Sequence, residues 1–90
     1  MYTLRMQGKF KRDLKLCAKR GYDMNLMWYA AEMLCETGIL PPMYLTHRLK
    51  GKFRGYYECH ITPDWLLIWY ISGNEIVFVS TGTHSDLLDR

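Results

Sequence analysis

No apolar run in this 90-residue chain approaches the ~20 residues that a membrane-spanning helix needs. The longest, Trp65 to Ile71, has the length of a buried strand. The opening stretch, MYTLRMQGKFKRDLK, lacks the apolar centre of a secretory signal. Cysteine is scarce: Cys17, Cys35 and Cys59 are odd in number, widely spaced and without a CxxC pair. That pattern speaks against a disulfide framework or a zinc ribbon. The expectation is three reduced, mostly buried thiols in a cytoplasmic protein. Repeats, linkers and low-complexity segments are missing too, which predicts one domain over residues 1–90. Lysine and arginine are absent from residues 21–47.

The charges are therefore concentrated elsewhere. Residues 1–20 hold seven basic groups against one acid, Asp13, and residues 48–54 (RLKGKFR) hold four more and no acid. A net charge of only +3 conceals two basic patches suited to a polyanion such as nucleic acid. A hydrophobic share of 49% supports a packed core.

Alternation over Tyr2 to Met6 predicts a short first strand. Phe10, Leu14 and Cys17 then recur at helical spacing, so Gly8 to Arg20 reads as a helix with one apolar face and Gly21 as its stop. Asp23 caps a second helix over 24–37, whose stripe of Leu26, Met27, Ala30, Ala31, Met33 and Leu34 is closed by Gly38 and Pro41-Pro42. These two helices are expected to form a hairpin, with the small alanines allowing close approach. The remainder reads as strands: Tyr44 to Leu49, Tyr56 to Thr62, Trp65 to Ile71 and Glu75 to Ser80. Pro63-Asp64 and Ser72-Gly73-Asn74 are the turns between the last three. Thr83 and Asp86 have capping-box-like spacing, which starts a short last helix at His84.

All three histidines, His47, His60 and His84, lie in the second half. Imidazole, with an unperturbed pKa near 6.5, both takes and gives protons around neutrality. RNA cleavage by the chain's own 2′-hydroxyl needs a base, an acid and positive charge on the phosphorane-like transition state, and no metal or other cofactor. His84 and His60 are the best-placed candidates, and Asp64 could orient a histidine, bind a base edge or simply shape the turn. Phe53 and Tyr56, beside the basic loop, are better stacking surfaces than Trp65, Trp69 or Tyr70, which read as core. A zinc site built on the same histidines is the lesser reading, since no HxH or HExxH pair is present.

The strings GYYECHITPDWLLIWY and STGTHSDLL, with the basic first helix, the DMN helix start and HRLKGKFR, resemble the YafQ branch of the RelE/ParE toxin superfamily along essentially the whole chain. The resemblance implies an α+β, RelE-like fold: two N-terminal helices packed on a four- to five-stranded, mostly antiparallel sheet, with a short C-terminal helix. It implies a type II toxin that enters the ribosomal A site and cleaves mRNA there without a metal. Its partners would be a DinJ- or RelB-like antitoxin, the 70S ribosome with its rRNA and mRNA, and operator DNA through the antitoxin complex. The family's catalytic positions fall on His84, His60, His47 and Asp64, with His84 leading. Lys50, Lys52, Arg54 and Arg48 would hold phosphates, and Trp65, the aromatic that follows the acid, and Ser80 would lie with them against the RNA. Two positions depart from the pattern. Ser80 stands where the family commonly carries an arginine for the scissile phosphate, so Arg48, Arg54 or a lysine must take over or activity is weakened. Leu88 stands where an aromatic is common. The second reading is accordingly a weakened module that binds ribosome, antitoxin or operator without cleavage.

Overall fold

The computed structural model describes residues 1–88, with Leu88 described by its backbone alone. The expectation attached to the Leu88 side chain falls outside the described residues. The chain runs β1 (Thr3–Met6), α1 (Gly8–Lys19), α2 (Met24–Thr37), β2 (His47–Arg48), β3 (Tyr57–Thr62), β4 (Trp65–Ser72), β5 (Glu75–Gly82) and α3 (His84–Leu88). Single 3₁₀ turns at Pro42–Tyr44 and Gly51–Phe53 flank β2. The five strands form one sheet in the order β1-β5-β4-β3-β2. Among the described residues only the β1–β5 pair is parallel. The α+β architecture expected from the sequence is the one observed.

Local chemistry sets the boundaries. The Asp23 carboxylate accepts the Asn25 N–H at 3.0 Å and caps α2. Gly38 closes the helix at φ 78°, and a side chain there would strike the Tyr2 ring at 2.9 Å. β4 is central and apolar on both faces, which requires cover on both. One face takes Trp65, Leu67 and Trp69 into the main core with Phe10, Met27, Leu34 and Phe78. The other sets Leu66 and Ile68 against Leu87 of α3, with Leu49, Tyr56 and Val79 at the margin. Burying Leu87 is worth ~2 kcal/mol and holds α3 to the sheet.

Both helices lie against the sheet, α1 on β5 and α2 on β1 and β3. Ala30 and Ala31 accordingly sit in the core cluster shared with the sheet. The ladders also carry two irregularities: His60 pairs with Leu66 but Thr62 with Trp65, and Ile68 pairs with Ser80 but Trp69 with Phe78. Ile61 and Val79 are the extra residues. Bulges of this kind re-aim neighbouring side chains, and these two flank His60 and Ser80. No helix among the described residues is long and apolar enough to cross a membrane.

Candidate active site

His84 begins α3, and its imidazole Nδ1 lies 2.8 Å from Asp64 Oδ1. The same oxygen accepts the His84 backbone N–H at 3.3 Å. The anion that the helix start attracts is thus the Asp64 carboxylate, delivered by the turn between β3 and β4. A carboxylate can only accept, so Nδ1 carries the proton and Nε2 of neutral His84 keeps its lone pair. The hydrogen bond from His84 holds the Asp64 carboxyl below the usual carboxylate range.

The start of α3 is itself tied down. Thr83 N–H donates to Asp86 Oδ2 at 2.8 Å, and Asp86 N–H donates to Thr83 Oγ1 at 3.1 Å, a reciprocal cap. Arg20, at the end of α1, donates to both Asp86 oxygens at 2.6 and 3.0 Å. This fork-to-carboxylate pairing drives the Asp86 carboxyl far below its ordinary value, with the Thr83 N–H adding to it. Gly82 is required beneath it, because a Cβ there would lie 2.7 Å from Asp86 Oδ2. Arg20 and Asp86 were not singled out as site residues in the sequence. The Thr83/Asp86 spacing was the one available signal.

His60, on β3, has its ring centre 5.7 Å from that of His84. Its Nδ1 makes a long, 3.3 Å contact with the Pro63 carbonyl, which again leaves Nε2 as the lone-pair nitrogen. Two imidazoles with the same available nitrogen therefore stand side by side, one oriented by a carboxylate. His47 is engaged differently. On β2 its Nε2 meets Glu58 at 3.3 Å and its Nδ1 the Leu45 carbonyl at 3.2 Å, so both nitrogens face acceptors. Glu58 is His47's ladder partner and precedes His60 by two residues on β3. Among the described residues no group of three or more His, Cys, Asp or Glu side chains is placed to hold a metal ion.

The basic loop lies at the β2–β3 end. Lys50, Lys52 and Arg54 are exposed, while Arg48 stacks 5.4 Å over the Tyr57 ring and donates to its hydroxyl at 3.1 Å. Two expected RNA contacts are not at the surface. Trp65 is 2% exposed, packs against Tyr22 and donates its indole N–H to Thr81 Oγ1 at 2.9 Å. Strand alternation aims it into the core, so it does not present a face to RNA. Ser80 is fully buried, and its hydroxyl donates to Asp13 at 2.9 Å while accepting from Lys9 Nζ at 3.1 Å. Lys9 also pairs with Asp13 at 2.8 Å. The reason is topological: β1 stops at Met6 opposite Phe78, so the Thr81 N–H beyond it lacks a strand partner and donates to Asp13 instead. The cation delivered to position 80 is thus Lys9 of α1, neither Arg48 nor Arg54.

A sheet covered by two helices and a pair of neighbouring imidazoles are what the resemblance to the small α+β toxins of type II toxin–antitoxin systems implies. It belongs to the YafQ family: the family model described as "Bacterial toxin of type II toxin-antitoxin system, YafQ" matches residues 2–89. The chain is 38% identical over 81 residues to the mRNA interferase toxin YafQ of Escherichia coli strain K12, covering 89% of this chain and 88% of that one. A chain of the E. coli DinJ-YafQ complex superposes with a TM-score of 0.88 at 35% identity, covering 97% of this chain and 98% of that one. A copper-bound mutant toxin from Helicobacter pylori superposes with a TM-score of 0.91 at 30% identity, over 97% of this chain and 99% of that one.

Proposed function

We propose that this protein is a ribosome-dependent endoribonuclease that cleaves mRNA in the ribosomal A site by metal-independent acid–base chemistry and so inhibits translation. The observation that carries this reading is the Asp64-oriented His84 imidazole with His60 beside it. One Nε2 removes the 2′-hydroxyl proton, and the freed oxygen attacks the adjacent phosphorus. The bond to the 5′-oxygen breaks, and the second, protonated imidazole gives that oxygen its proton. The products are a 2′,3′-cyclic phosphate and a free 5′-hydroxyl. Each proton transfer contributes roughly 10²–10⁴ in rate. Asp64 orients His84 and steadies its imidazolium. His47, paired with Glu58, assists from the adjoining strand, and Lys50, Lys52, Arg54 and Arg48 hold rRNA or mRNA phosphates.

The partners follow from the same reading. A DinJ- or RelB-like antitoxin covers the basic surface in the cytoplasm with an acidic segment, and operator DNA is reached only through that complex. The E. coli relative is named with DinJ in its solved complex. Ribosome dependence and metal independence are tested together. The protein is expected to cut mRNA in a reconstituted translation reaction, to leave the same mRNA intact without ribosomes, and to be indifferent to a transition-metal chelator. Cutting of naked mRNA, or loss of activity with chelator, contradicts the proposal.

The second reading, binding without cleavage, draws on the Lys9–Asp13 pair, because the cation at Ser80 is shared with a carboxylate. Ribosome binding by folded wild type without mRNA cuts would establish it.

A further inference from the structure

We propose that the cleft between α1 and the Gly51–Phe53 turn is a subsite for one nucleotide of single-stranded RNA. The ligand, though not the geometry, rests on the RNA-cleaving reading above. The cleft is about 460 Å³ and is lined by Lys9, Lys52, Phe53, Tyr56, Val79 and Ser80. It is a wide groove open to solvent rather than an enclosed cavity, a shape that suits a strand of nucleic acid passing along the surface.

Its two ends carry different chemistry. Lys9 Nζ is fixed by Asp13 and the Ser80 hydroxyl, which occupy two of its three N–H donors and leave one for a ligand. The side chain is 48% exposed, so that donor is reachable. Lys52 brings the second ammonium, 5.5 Å from the centre of the Phe53 ring. Against these stands an aromatic series: Phe53 lies 6.3 Å from Tyr56, and Tyr56 stacks on Tyr70 at 5.4 Å. Cations beside half-buried rings are what phosphate and base require together. An acidic peptide would use the ammonium groups and leave the rings idle.

The cleft also has the right neighbour. Ser80 precedes Gly82 by two residues on β5, Gly82 pairs with Leu66, and Leu66 pairs with His60. His60 is two residues along and two strands across from Ser80, so at 3.2–3.4 Å per residue and 4.7–4.9 Å per strand the floor of the cleft lies about 12 Å from it. RNA held in the cleft is thus within a short reach of the phosphate that faces the imidazoles.

The test is fluorescence anisotropy of a labelled single-stranded hexanucleotide made uncleavable by 2′-O-methylation, titrated across a salt series. Lys9→Gln and Lys52→Gln are each expected to weaken binding about fivefold to tenfold and to lower the salt slope by about 0.7, the loss of one phosphate contact. Phe53→Leu is expected to weaken it about fivefold through lost stacking. Lys9→Arg is expected to restore binding, and Lys19→Gln, on α1 outside the cleft, to weaken it by less than about twofold, the share of a general, salt-screened surface charge. The subsite is refuted if wild type does not bind the oligonucleotide, or if the cleft lysine variants behave like Lys19→Gln. It is also refuted if Phe53→Leu binds as wild type, since the cleft would then read charge alone, as an acidic protein segment would. His84→Ala separates the two proposals: it is expected to bind normally and cut nothing. Normal binding by the cleft variants with His84-dependent cleavage sinks only the subsite. Weakened binding by those variants, with no cleavage by wild type, sinks only the nuclease.

Discussion

His84 and Asp64, 20 residues apart in sequence, are joined twice: ring Nδ1 to carboxylate at 2.8 Å and backbone N–H to the same oxygen at 3.3 Å. The double contact fixes both the ring's rotation and the nitrogen that carries its proton. Asp64→Asn keeps the shape but offers an amide that can donate as well as accept. It is expected to lower single-turnover cleavage by roughly 10²–10⁴-fold, as when a carboxylate that orients a catalytic histidine becomes an amide. The fold should be unchanged by circular dichroism. Full activity in Asp64→Asn would show that the carboxylate only shapes the turn.

Arg20 acts on the same histidine through Asp86. The Asp86 carboxyl is held below its ordinary value by the Arg20 guanidinium, so its ionised form stabilises the native state above the unfolded pKa of about 3.9. That contribution is lost as pH falls through the depressed native value. Arg20→Gln is therefore expected to be less stable than wild type near neutral pH, with the gap narrowing as pH falls below about 4. Urea denaturation across a pH series reads it. A gap independent of pH would assign the effect to packing of the arginine stem instead.

Asp13 accepts three hydrogen bonds on one oxygen, from Lys9, Ser80 and the Thr81 N–H. Asp13→Asn is expected to cost about 1–2 kcal/mol, since hydrogen bonds to a charged acceptor are lost in a half-buried place. For a domain of this size that is a fall in Tm of roughly 5–15 °C by thermal melting. A Tm within the scatter of wild type would mean that water replaces the carboxylate at the open edge of β5.

Trp65 belongs to the core, and its substitution should report that. Trp65→Phe loses the indole bond to Thr81 and leaves a small void, an expected cost of about 1–3 kcal/mol. The cleavage rate per folded molecule should stay close to wild type. A large fall in rate with unchanged stability would return Trp65 to the RNA-binding surface.

The helices, the strand order of burial and the cap of α3 were legible because each rests on local periodicity or spacing: Phe10, Leu14 and Cys17 on α1, the alternation through Cys59, and Thr83 with Asp86. His60, Asp64 and His84 stood out in the sequence as candidates, and the structure brings those three together. The part that was not legible depends on long-range placement. Lys9 and Ser80 are 71 residues apart, and Arg20 and Asp86 are 66 apart. A bulge residue such as Val79 looks like any other strand residue, yet it resets the pairing before Ser80. Trp65 shows the converse. Its alternation pointed inward while its place in the motif suggested a surface role, and burial decided the matter.

The central claim is that His84 performs proton transfer on mRNA in the ribosome. Primer extension on mRNA from a reconstituted translation reaction, with wild type and His84→Ala side by side, tests it most directly. Cuts at A-site codons are expected with wild type and none with a well-folded His84→Ala protein. Equal cutting by both would contradict the catalytic assignment, and no cutting by folded wild type would contradict the nuclease itself.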